Sequence, residues 1–513
     1  MCGIVGFVGK QGNKEQVLDD MMKVIIHRGP DSAGKYVNDQ VALGFRRLSI
    51  IDLENGSQPM FNEDGEVGIV FNGEIYNSPE LRERFQAKGH VFKNSSDTET
   101  LVHGYEEYGE KLVHELRGMF GFAIWDNKKK RLFMARDFFG IKPVYYAMIR
   151  GNLVFGSEIK SILEFPGFKK EVNNEALEEY LSFQYSNLPE TFFKGVYRLL
   201  PGHYLTYQNG ELNVTQYFDP TLEPVSKDSQ EELVKKLTNV LEDSVDKHML
   251  ADVEVGAFLS SGVDSSYIAA KYSGKKTFTV GFFDKNNQYS ETQYAEECAK
   301  FLGLENYSHQ ITEEEYWGEM PKIMYHMDEP LADPAAIALY FVAREAAKQV
   351  KVVTSGEGAD EFFGGYTIYR EPLSLRWLSW LPKSWRKSMA NLAEKLPEGM
   401  KGRSYIIRAS KSVEERFIGN ANIFTEEERK KLLKVKTNAP SPEALLAAKY
   451  KKMSKYDDTT KMQYIDLTNW LPGDILLKAD KMSMAHSLEL RVPFLDKEVF
   501  QVARQIRTNM KLK

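Results

Sequence analysis

Residues 2–9 read CGIVGFVG and place a cysteine directly behind the initiator methionine, at the head of an apolar strand. Removal of Met1 would leave Cys2 with both its thiol and a free α-amine. An α-amine has a pKa of about 7.7–8.0, so near neutral pH it can accept the thiol proton, and no histidine is required as the base. The stretch therefore predicts a strand that carries a self-activated nucleophile. The alternative is a cysteine that merely begins a buried strand, and other segments must decide between the two.

The composition narrows the class of protein. The 513 residues carry a net charge of -6, and 42% of them are hydrophobic. Such a chain is too long for one core and has no basic field, so we expect several domains, small-molecule substrates, no nucleic acid and no membrane. Two cysteines cannot form a disulfide framework, and the sequence has neither zinc-motif spacing nor a signal peptide. These features predict a cytoplasmic protein.

The first 216 residues are rich in short alternating strands. Turn signals at Asn72-Gly73, Asp126-Asn127 and Gly151-Asn152 separate or end them. Helices are fewer, with one predicted to begin at Ser78-Pro79 and another capped by Asp97. The pattern predicts an α+β domain over residues 1–216. A boundary follows near 217–228, because Ser229 and Glu232 form a capping box that opens a long helix.

Three further segments offer chemistry that complements Cys2. Asn72 and Gly73 follow a strand and could donate an amide and a backbone N–H to an oxyanion. Arg47 is a planar fork that suits a substrate carboxylate. Asp97 could hold a substrate ammonium. Taken singly, each has a simpler structural explanation. Asn72-Gly73 could be a hairpin turn, Arg47 a surface cation and Asp97 a helix cap.

Together these segments resemble a known family. MCGIVGF, HRGPD (His27 to Asp31), RLSIID (Arg47 to Asp52), FNGEIYN and SSDTE stand in the order of a class II glutamine amidotransferase domain, an N-terminal-nucleophile (αββα) fold. The resemblance implies that Cys2 attacks the glutamine amide, forms a thioester and releases ammonia, with Asn72 and Gly73 as the oxyanion hole. His27 is interpreted as structural. The glutamine-binding residues implied are Arg47, Leu48, Ser49, Ile50, Ile51, Asn72, Gly73, Glu74 and Asp97.

Beyond residue 229 the pattern changes to strands alternating with helices, which predicts an α/β domain with a parallel sheet and helical additions over 229–513. FLSSGVDSS (258–266) lies between a strand and a helix, so its N–H groups can form an anion cradle. It resembles the pyrophosphate (PP) loop of enzymes that adenylate a carboxylate, with Ser261 in place of a glycine. A serine is tolerable there if the position does not require a positive φ. Asp264 is the natural Mg²⁺ ligand.

TSGEGADEFFGGY (354–366) is a second glycine-rich, acidic loop after a strand. With LLKADKMSMAHSLELRVPFLD (476–496), it extends the resemblance to glutamine-dependent asparagine synthetases, which use glutamine, aspartate and ATP. The resemblance assigns Glu357 to formation of the aspartyl-adenylate and places Mg²⁺ on Asp264 and Asp360. The ATP contacts implied are Leu259, Ser260, Gly262, Asp264, Ser265, Val280, Ser355 and Gly356.

The chain departs from that family in two places. Family members continue past RVPFLD into an extension with a lysine thought to stabilise adenylation, and this chain ends at Lys513; Lys478 or Arg491 could replace that charge. DEPLADPAAIALY (328–340) stands where some relatives carry threonine and arginine for aspartate. Two alternatives stay open: a glutaminase with a degenerate nucleotide-binding domain, and an amidotransferase for another carboxylate. The intact Cys2, Arg47, Asn72 and Asp97 argue against a β-lactam-type cyclising synthetase. A homodimer and an ammonia tunnel are further hypotheses.

Overall fold

The computed structural model describes residues 2–283, 292–397 and 399–512. In the first half, two six-stranded sheets are antiparallel throughout. The first sheet has the order β10-β8-β9-β1-β3-β2 and the second β12-β11-β7-β6-β5-β4. Their strands are β1 Gly3–Val8, β2 Ser32–Val37, β3 Val41–Arg47, β4 Met60–Phe61, β5 Val67–Ile75, β6 Gly118–Asp126, β7 Arg131–Arg136, β8 Tyr145–Ile149, β9 Asn152–Gly156, β10 Val196–Arg198, β11 His203–Gln208 and β12 Glu211–Gln216.

The two sheets pack face to face and are covered by helices on their outer faces. Ile4 and Phe45 of the first sheet meet Val70 and Trp125 of the second in one buried cluster. This gives the predicted αββα order of layers. The helices of this half are α1 Lys14–Lys23, α2 Ser78–Gln86, α3 Asp97–Tyr108, α4 Leu112–Glu115, α5 Ile159–Leu163 and α6 Asn174–Phe183. Helix α1 packs on the first sheet, and α2 and α3 pack on the second.

The second half is built on a five-stranded parallel sheet in the order β15-β14-β13-β16-β17. Its strands are β13 Val255–Phe258, β14 Lys276–Phe282, β15 Glu305–Ile311, β16 Val352–Thr354 and β17 Glu489–Arg491. The strand order reverses at β13, so the crevice between β13 and β16 is where such sheets bind ligands. Both glycine-rich loops leave these two strands at that crevice.

Helices surround this sheet, and the predicted helical additions include a largely helical segment over residues 371–468. They are α7 Gln230–His248, α8 Val263–Lys271, α9 Thr292–Leu302, α10 Glu313–Met327, α11 Ala335–Ala347, α12 Ala359–Phe363, α13 Glu371–Leu375, α14 Lys383–Glu394, α15 Arg403–Ala409, α16 Val413–Arg416, α17 Glu426–Leu432, α18 Pro442–Lys452, α19 Asp458–Thr468, α20 Leu476–Met484, α21 Lys497–Ala503 and α22 Thr508–Lys511. The predicted capping box of Ser229 and Glu232 opens α7. None of the helices in the described part of the chain combines the length and apolar composition needed to cross a bilayer.

The two halves share a continuous buried interface. Phe139 packs against Phe362 and Phe500, with ring centroids 5.3 Å and 5.5 Å away. Ion pairs also cross the boundary, such as Arg117 Nε to Asp496 Oδ2 at 2.7 Å. The sites of the two halves are therefore held in a fixed relation to each other.

Two local predictions were wrong. Asn72-Gly73 is not a turn, because both residues lie inside β5 and pair with Gly121 and Phe120 of β6. The cap of α3 is Ser96, whose side chain accepts from the Thr98 N–H, and not Asp97. Asp97 is instead the first helical residue, and its Oδ2 accepts the Ile75 N–H at 2.9 Å. Asn72 and Gly73 are therefore fixed by strand pairing, and Asp97 is fixed by its hydrogen bond to β5.

Candidate active sites

Cys2 lies at the start of β1, beside Asn72. The Cys2 nitrogen donates to Asn72 Oδ1 at 2.9 Å, and the Cys2 Sγ is 3.8 Å from the Leu48 carbonyl oxygen. Met1 lies outside the described residues. Burial raises the pKa of the Cys2 thiol to about 11. The thiol is therefore neutral at rest and needs a nearby base, which is what a freed α-amine on the same residue supplies.

The side-chain amide of Asn72 also has an unpaired hydrogen-bond donor. Its side chain is fully buried, and its Nδ2 has no hydrogen-bond partner among the described residues. A buried, unpaired amide donor costs free energy unless something accepts from it. An oxyanion formed on a bound substrate would be such an acceptor.

Gly73 follows Asn72 and cannot be replaced without strain. Its φ is +154°, and a Cβ placed there would lie 2.0 Å from the Met119 carbonyl oxygen. The close packing of β6 against Gly73 therefore requires a glycine next to the unpaired amide of Asn72.

Two buried carboxylates, Glu74 and Asp97, also belong to this part of the structure. Glu74 and Asp97 are each 5% exposed. Burial, Glu489 and Asp97 raise the pKa of Glu74 well above its ordinary range, and burial raises the pKa of Asp97 to about 6. A buried group of this kind is stabilised when a cation such as an ammonium binds between the carboxylates.

Arg47 lies at the end of β3 and is buried. Its Nη1 donates to the Leu53 carbonyl at 3.1 Å, and its Nη2 donates to the Asp52 carbonyl at 2.5 Å and the Ile51 carbonyl at 3.4 Å. These three bonds leave two of the five guanidinium N–H groups for a substrate carboxylate. The Arg47 loop is held from the other side by Asp31, whose Oδ2 accepts the Ser49 N–H at 2.8 Å.

The remaining predicted loop residues have a packing role. Leu48 and Ile50 are buried against Val255 and Val352 of the second half. Their side chains therefore anchor the loop, and their predicted contact with glutamine stays a prediction. His27 faces Glu158, with Nε2 to Oε1 at 3.0 Å, and its assignment as structural stays a prediction.

The sequence patterns missed the residues that the second half contributes to this first site. Arg491 Nη2 lies 3.4 Å from Glu74 Oε1, and Arg491 Nε donates to Glu489 at 2.6 Å. Both residues stand on β17, within the LELRVPFLD stretch. Because its side chain lies here, Arg491 does not reach the nucleotide loops, and the suggestion that it supplies the adenylation charge is wrong.

The second site is a cavity of about 420 Å³ at the crevice between β13 and β16. Its walls include Ala335, Ala338, Leu339 and Val342 of α11 and Lys478 of α20. The predicted nucleotide residues come together here: Leu259, Ser260, Gly262, Asp264, Ser265, Val280, Ser355, Gly356, Glu357 and Asp360. Their role in binding ATP stays a prediction.

The first loop of this cavity is compact. Ser265 Oγ lies 2.9 Å from Ser260 Oγ and accepts the Ser260 N–H at 3.1 Å. Ser261 does not have a positive φ, so it meets the condition under which a serine is tolerated there. Helix α8 begins with Val263, and no side chain caps its N-terminus, which leaves first-turn N–H groups for an anion.

The two loops touch each other at Gly356, where a Cβ would lie 3.0 Å from Asp264 Cβ. Burial raises the pKa of Asp264, and burial together with the charge of Asp264 raises the pKa of Asp360. Two carboxylates that repel each other beside an anion cradle form the oxygen donor set that Mg²⁺ takes when phosphates supply its other ligands.

Lys478 is the cation of this cavity. Its Nζ donates to Asp474 at 3.0 Å and also to Asp333. Burial lowers the pKa of Lys478, but Asp474 and Asp333 outweigh it and raise the pKa to about 12. Glu357 lines the same cavity, and burial raises its pKa above the usual range.

Comparison with known proteins gives two family matches. Residues 1–218 match a glutamine amidotransferase domain, and residues 236–513 match asparagine synthase. Asparagine synthetase [glutamine-hydrolyzing] 1 of Bacillus subtilis (strain 168) is 47% identical, over 100% of this chain and 82% of its own. Asparagine synthetase [glutamine-hydrolyzing] 3 of the same organism is 32% identical, over 100% and 82%. Amidase chyE of Penicillium rubens is 31% identical, over 100% and 83%. The chain therefore belongs to the asparagine synthetase family and carries the glutamine amidotransferase domain of its glutamine-hydrolysing members.

Proposed function

We propose that this chain makes asparagine from aspartate, with ammonia that Cys2 releases from glutamine and with ATP as the activating substrate. The observation that carries the proposal is the pairing of Cys2 with Asn72, whose buried Nδ2 lacks a partner among the described residues. A fully packed core would not leave a donor unpaired next to a thiol. A bound glutamine amide would supply both the electrophile and the acceptor.

In the first reaction the Cys2 thiol gives its proton to its own α-amine and attacks the glutamine amide carbon. Asn72 Oδ1, 2.9 Å from the Cys2 nitrogen, holds that amine in place. Asn72 Nδ2 and the Gly73 N–H stabilise the oxyanion, which collapses to a thioester as ammonia leaves. Water then hydrolyses the thioester and releases glutamate.

Charge complementarity orients glutamine in this site. The two free N–H groups of Arg47 bind its α-carboxylate, and Glu74 and Asp97 bind its α-ammonium. The loop residues Ser49, Ile50 and Ile51 complete the site through their backbone. The ammonium neutralises carboxylates whose burial otherwise disfavours their charge.

In the second reaction the cavity between β13 and β16 binds ATP, and the aspartate side-chain carboxylate attacks the α-phosphorus. Pyrophosphate leaves, and ammonia displaces AMP from the aspartyl-adenylate. Asp264 and Asp360 would hold Mg²⁺, which supplies charge neutralisation for the departing pyrophosphate. Lys478 provides a fixed positive charge, and Glu357 acts in forming the adenylate.

We also propose that ammonia passes between the sites inside the protein. Ammonia is mostly ammonium in water at neutral pH, so an interior path keeps it uncharged and nucleophilic. The continuous interface between the halves offers such a path. External ammonia that gives asparagine as fast as glutamine does at matched concentrations would contradict the tunnel.

The deciding experiment is pyrophosphate release with ATP, Mg²⁺ and glutamine, with aspartate compared against other carboxylates. Aspartate-dependent release, lost in Cys2→Ala with glutamine but retained with ammonia, is the expected outcome. Glutamine hydrolysis without pyrophosphate release would favour the glutaminase alternative. Release with another carboxylate only would favour a different acceptor, which the relative named as an amidase makes worth testing. Intact mass should show that Met1 is absent.

A cytoplasmic location and a homodimer complete the proposal. Both cysteines, Cys2 and Cys298, are free thiols, as a reducing compartment permits. Light scattering of the purified chain measures the assembly directly, and a monomer mass across the micromolar range would contradict the dimer.

A further inference from the structure

Four side chains of the amidotransferase half that belong to neither active site converge with one another. They are Glu63 in the turn between β4 and β5, His90 after α2, and His103 and Glu106 on α3. One ligand atom from each lies within 4.8 Å of the other three. His103 and Glu106 are three residues apart on the helix and so share a face. We call these four residues the His2Glu2 cluster.

The distances within the cluster match those of a tetrahedral metal site. His103 Nδ1 lies 3.1 Å from Glu106 and 3.5 Å from Glu63, and His90 Nδ1 lies 3.5 Å from Glu63 and 3.8 Å from Glu106. Ligands about 2.05 Å from a tetrahedral Zn²⁺ are about 3.3 Å from one another. Three edges of a tetrahedron that uses Glu63 Oε2 and Glu106 Oε2 are therefore close to this length before any ion is added: His103–Glu63, His103–Glu106 and His90–Glu106. The 3.5 Å between His90 and Glu63 is measured to Oε1, the other oxygen of that carboxylate.

The outer contacts of the cluster orient its ligands. His90 directs Nδ1 into the cluster, and its Nε2 lies 3.1 Å from Glu107 Oε1. His103 also turns Nε2 away from the cluster, but this nitrogen has no hydrogen-bond partner among the described residues, and Glu99 Oε1 lies 4.0 Å from it. A carboxylate behind a metal-binding histidine is the usual second shell of a zinc site, because it fixes the tautomer that leaves the other nitrogen free.

The two carboxylate ligands are held in the same way. Asn62 Nδ2 donates to Glu106 Oε1 at 2.6 Å, which leaves Oε2 for the cluster. The Val91 N–H donates to Glu63 Oε1 at 3.0 Å, which leaves the other oxygen 3.5 Å from His103. The nearby cation Lys88 is paired with Glu107 and does not fill the cluster.

The cluster lies at the edge of the folded core. The His103 side chain is 1% exposed, whereas those of Glu63 and Glu106 are 35% and 26% exposed. A solvated ion can therefore reach the carboxylates and come to rest against a buried imidazole. Two nitrogen and two oxygen donors in this geometry suit Zn²⁺ rather than Mg²⁺, which prefers six oxygen ligands.

We propose that Glu63, His90, His103 and Glu106 form a structural zinc site that ties the β4–β5 turn and the segment after α2 to helix α3. All four positions are taken by protein ligands, so the site stabilises the fold and takes no part in the reaction. Because α3 begins at Asp97, the ion also steadies the helix that carries a proposed glutamine ligand.

The test is zinc binding to the full chain, freed of metal and of any histidine tag, followed by calorimetry and elemental analysis after dialysis. The site-directed variant is Glu63→Gln/His90→Gln, which changes the two ligands in loops and spares the two on helix α3, including the buried His103. Its matched control is His114→Gln/Glu231→Gln, at exposed positions outside the cluster. Glu107→Gln tests the outer contact.

We expect one Zn²⁺ per wild-type chain at this site and at least about 10-fold weaker binding in Glu107→Gln, as for other second-shell changes. The double variant should lose this ion, and with it the rise in Tm that zinc gives the wild type and the control. Co²⁺ at the site should give the visible bands of a tetrahedral ion without a thiolate charge-transfer band. Absence of bound zinc would overturn the proposal. Binding that the double variant retains would also overturn it, and would assign the ion to Cys2 or to Asp264 and Asp360.

Discussion

Arg28 and Asp480 form a paired ion bridge across the boundary between the two halves, with Nη1 to Oδ2 at 2.8 Å and Nη2 to Oδ1 at 3.1 Å. The same guanidinium donates from Nε to the Cys2 carbonyl oxygen at 3.2 Å. Asp480 lies on α20, two residues from Lys478 in the nucleotide cavity. One arginine therefore joins the residue that carries the nucleophile to the helix that lines the other site.

Asp480→Asn should weaken the ion pair with Arg28 while leaving a side chain of nearly the same size in place. Arg28 keeps Glu158 at 3.0 Å, so we expect a loss of about 3 kcal/mol in the free energy of unfolding, the lower end for a broken buried pair. Glutamine-dependent synthesis should fall more than ammonia-dependent synthesis. Denaturant unfolding and the two activities measure these effects, with the exposed Asp39→Asn as control. Equal losses in both activities would argue against a role of the pair in linking the sites.

Asn72→Ala should lower kcat for glutamine hydrolysis by about 10²–10³-fold, the usual cost of removing one oxyanion donor. Asn72→Asp separates the two functions of the side chain, because it keeps an acceptor for the Cys2 nitrogen and loses the donor. Steady-state kinetics should therefore show a large loss in both variants, with ammonia-dependent synthesis kept. Near-normal glutamine hydrolysis by Asn72→Asp would contradict the proposal that Asn72 Nδ2 stabilises the oxyanion.

Asp97→Asn should raise the free energy of unfolding of the ligand-free protein and lower kcat/KM for glutamine. The folded-state pKa of Asp97 is about 6, above the ordinary 3.8, so stability associated with its protonation is present at low pH and is lost as pH rises through about 6. Removing the charge should add about 3 kcal/mol to the free energy of unfolding at pH 7.5 and about 2 kcal/mol at pH 5. Denaturant melts at both pH values measure this gain.

The same titration should appear in catalysis by the wild type. Protonation of Asp97 below about pH 6 removes a charge that the glutamine ammonium needs, so kcat/KM for glutamine should fall on acidification. In Asp97→Asn, kcat/KM should be low at every pH and should lack this step. A wild-type profile that is flat between pH 5 and 7 would contradict the assignment.

Lys478→Gln should reduce aspartate-dependent pyrophosphate release by about 10²-fold, as when other fixed transition-state charges are removed, and leave glutamine hydrolysis intact. Lys478→Arg keeps the charge opposite Asp474 and should restore part of the activity. The exposed Lys235→Gln serves as control. If Lys478→Arg is as impaired as Lys478→Gln while both fold normally, charge is not what the position contributes.

The sequence by itself determined the local elements and the chemistry of each loop. Alternating apolar residues predicted strands such as β1 and β6, and the box of Ser229 and Glu232 predicted the start of α7, because these signals depend on neighbours along the chain. Cys2 was identified from its position and its own amine. The glycine-rich loops were recognisable because backbone N–H groups need little else to bind phosphate.

Tertiary structure alone decided which distant residues meet. Asn72-Gly73 has the composition of a turn, yet pairing with β6 holds it inside a strand, since sheet registry outweighs local preference. Arg28, Glu489 and Arg491 lie in stretches that carry the family resemblance, but nothing local assigned them to the first site. Their place beside Cys2 and Glu74 comes from packing between the two halves of the chain. The His2Glu2 cluster draws its ligands from a turn, a loop and a helix. Contacts of this kind follow from burial and geometry in three dimensions, which no spacing of residues along the chain encodes.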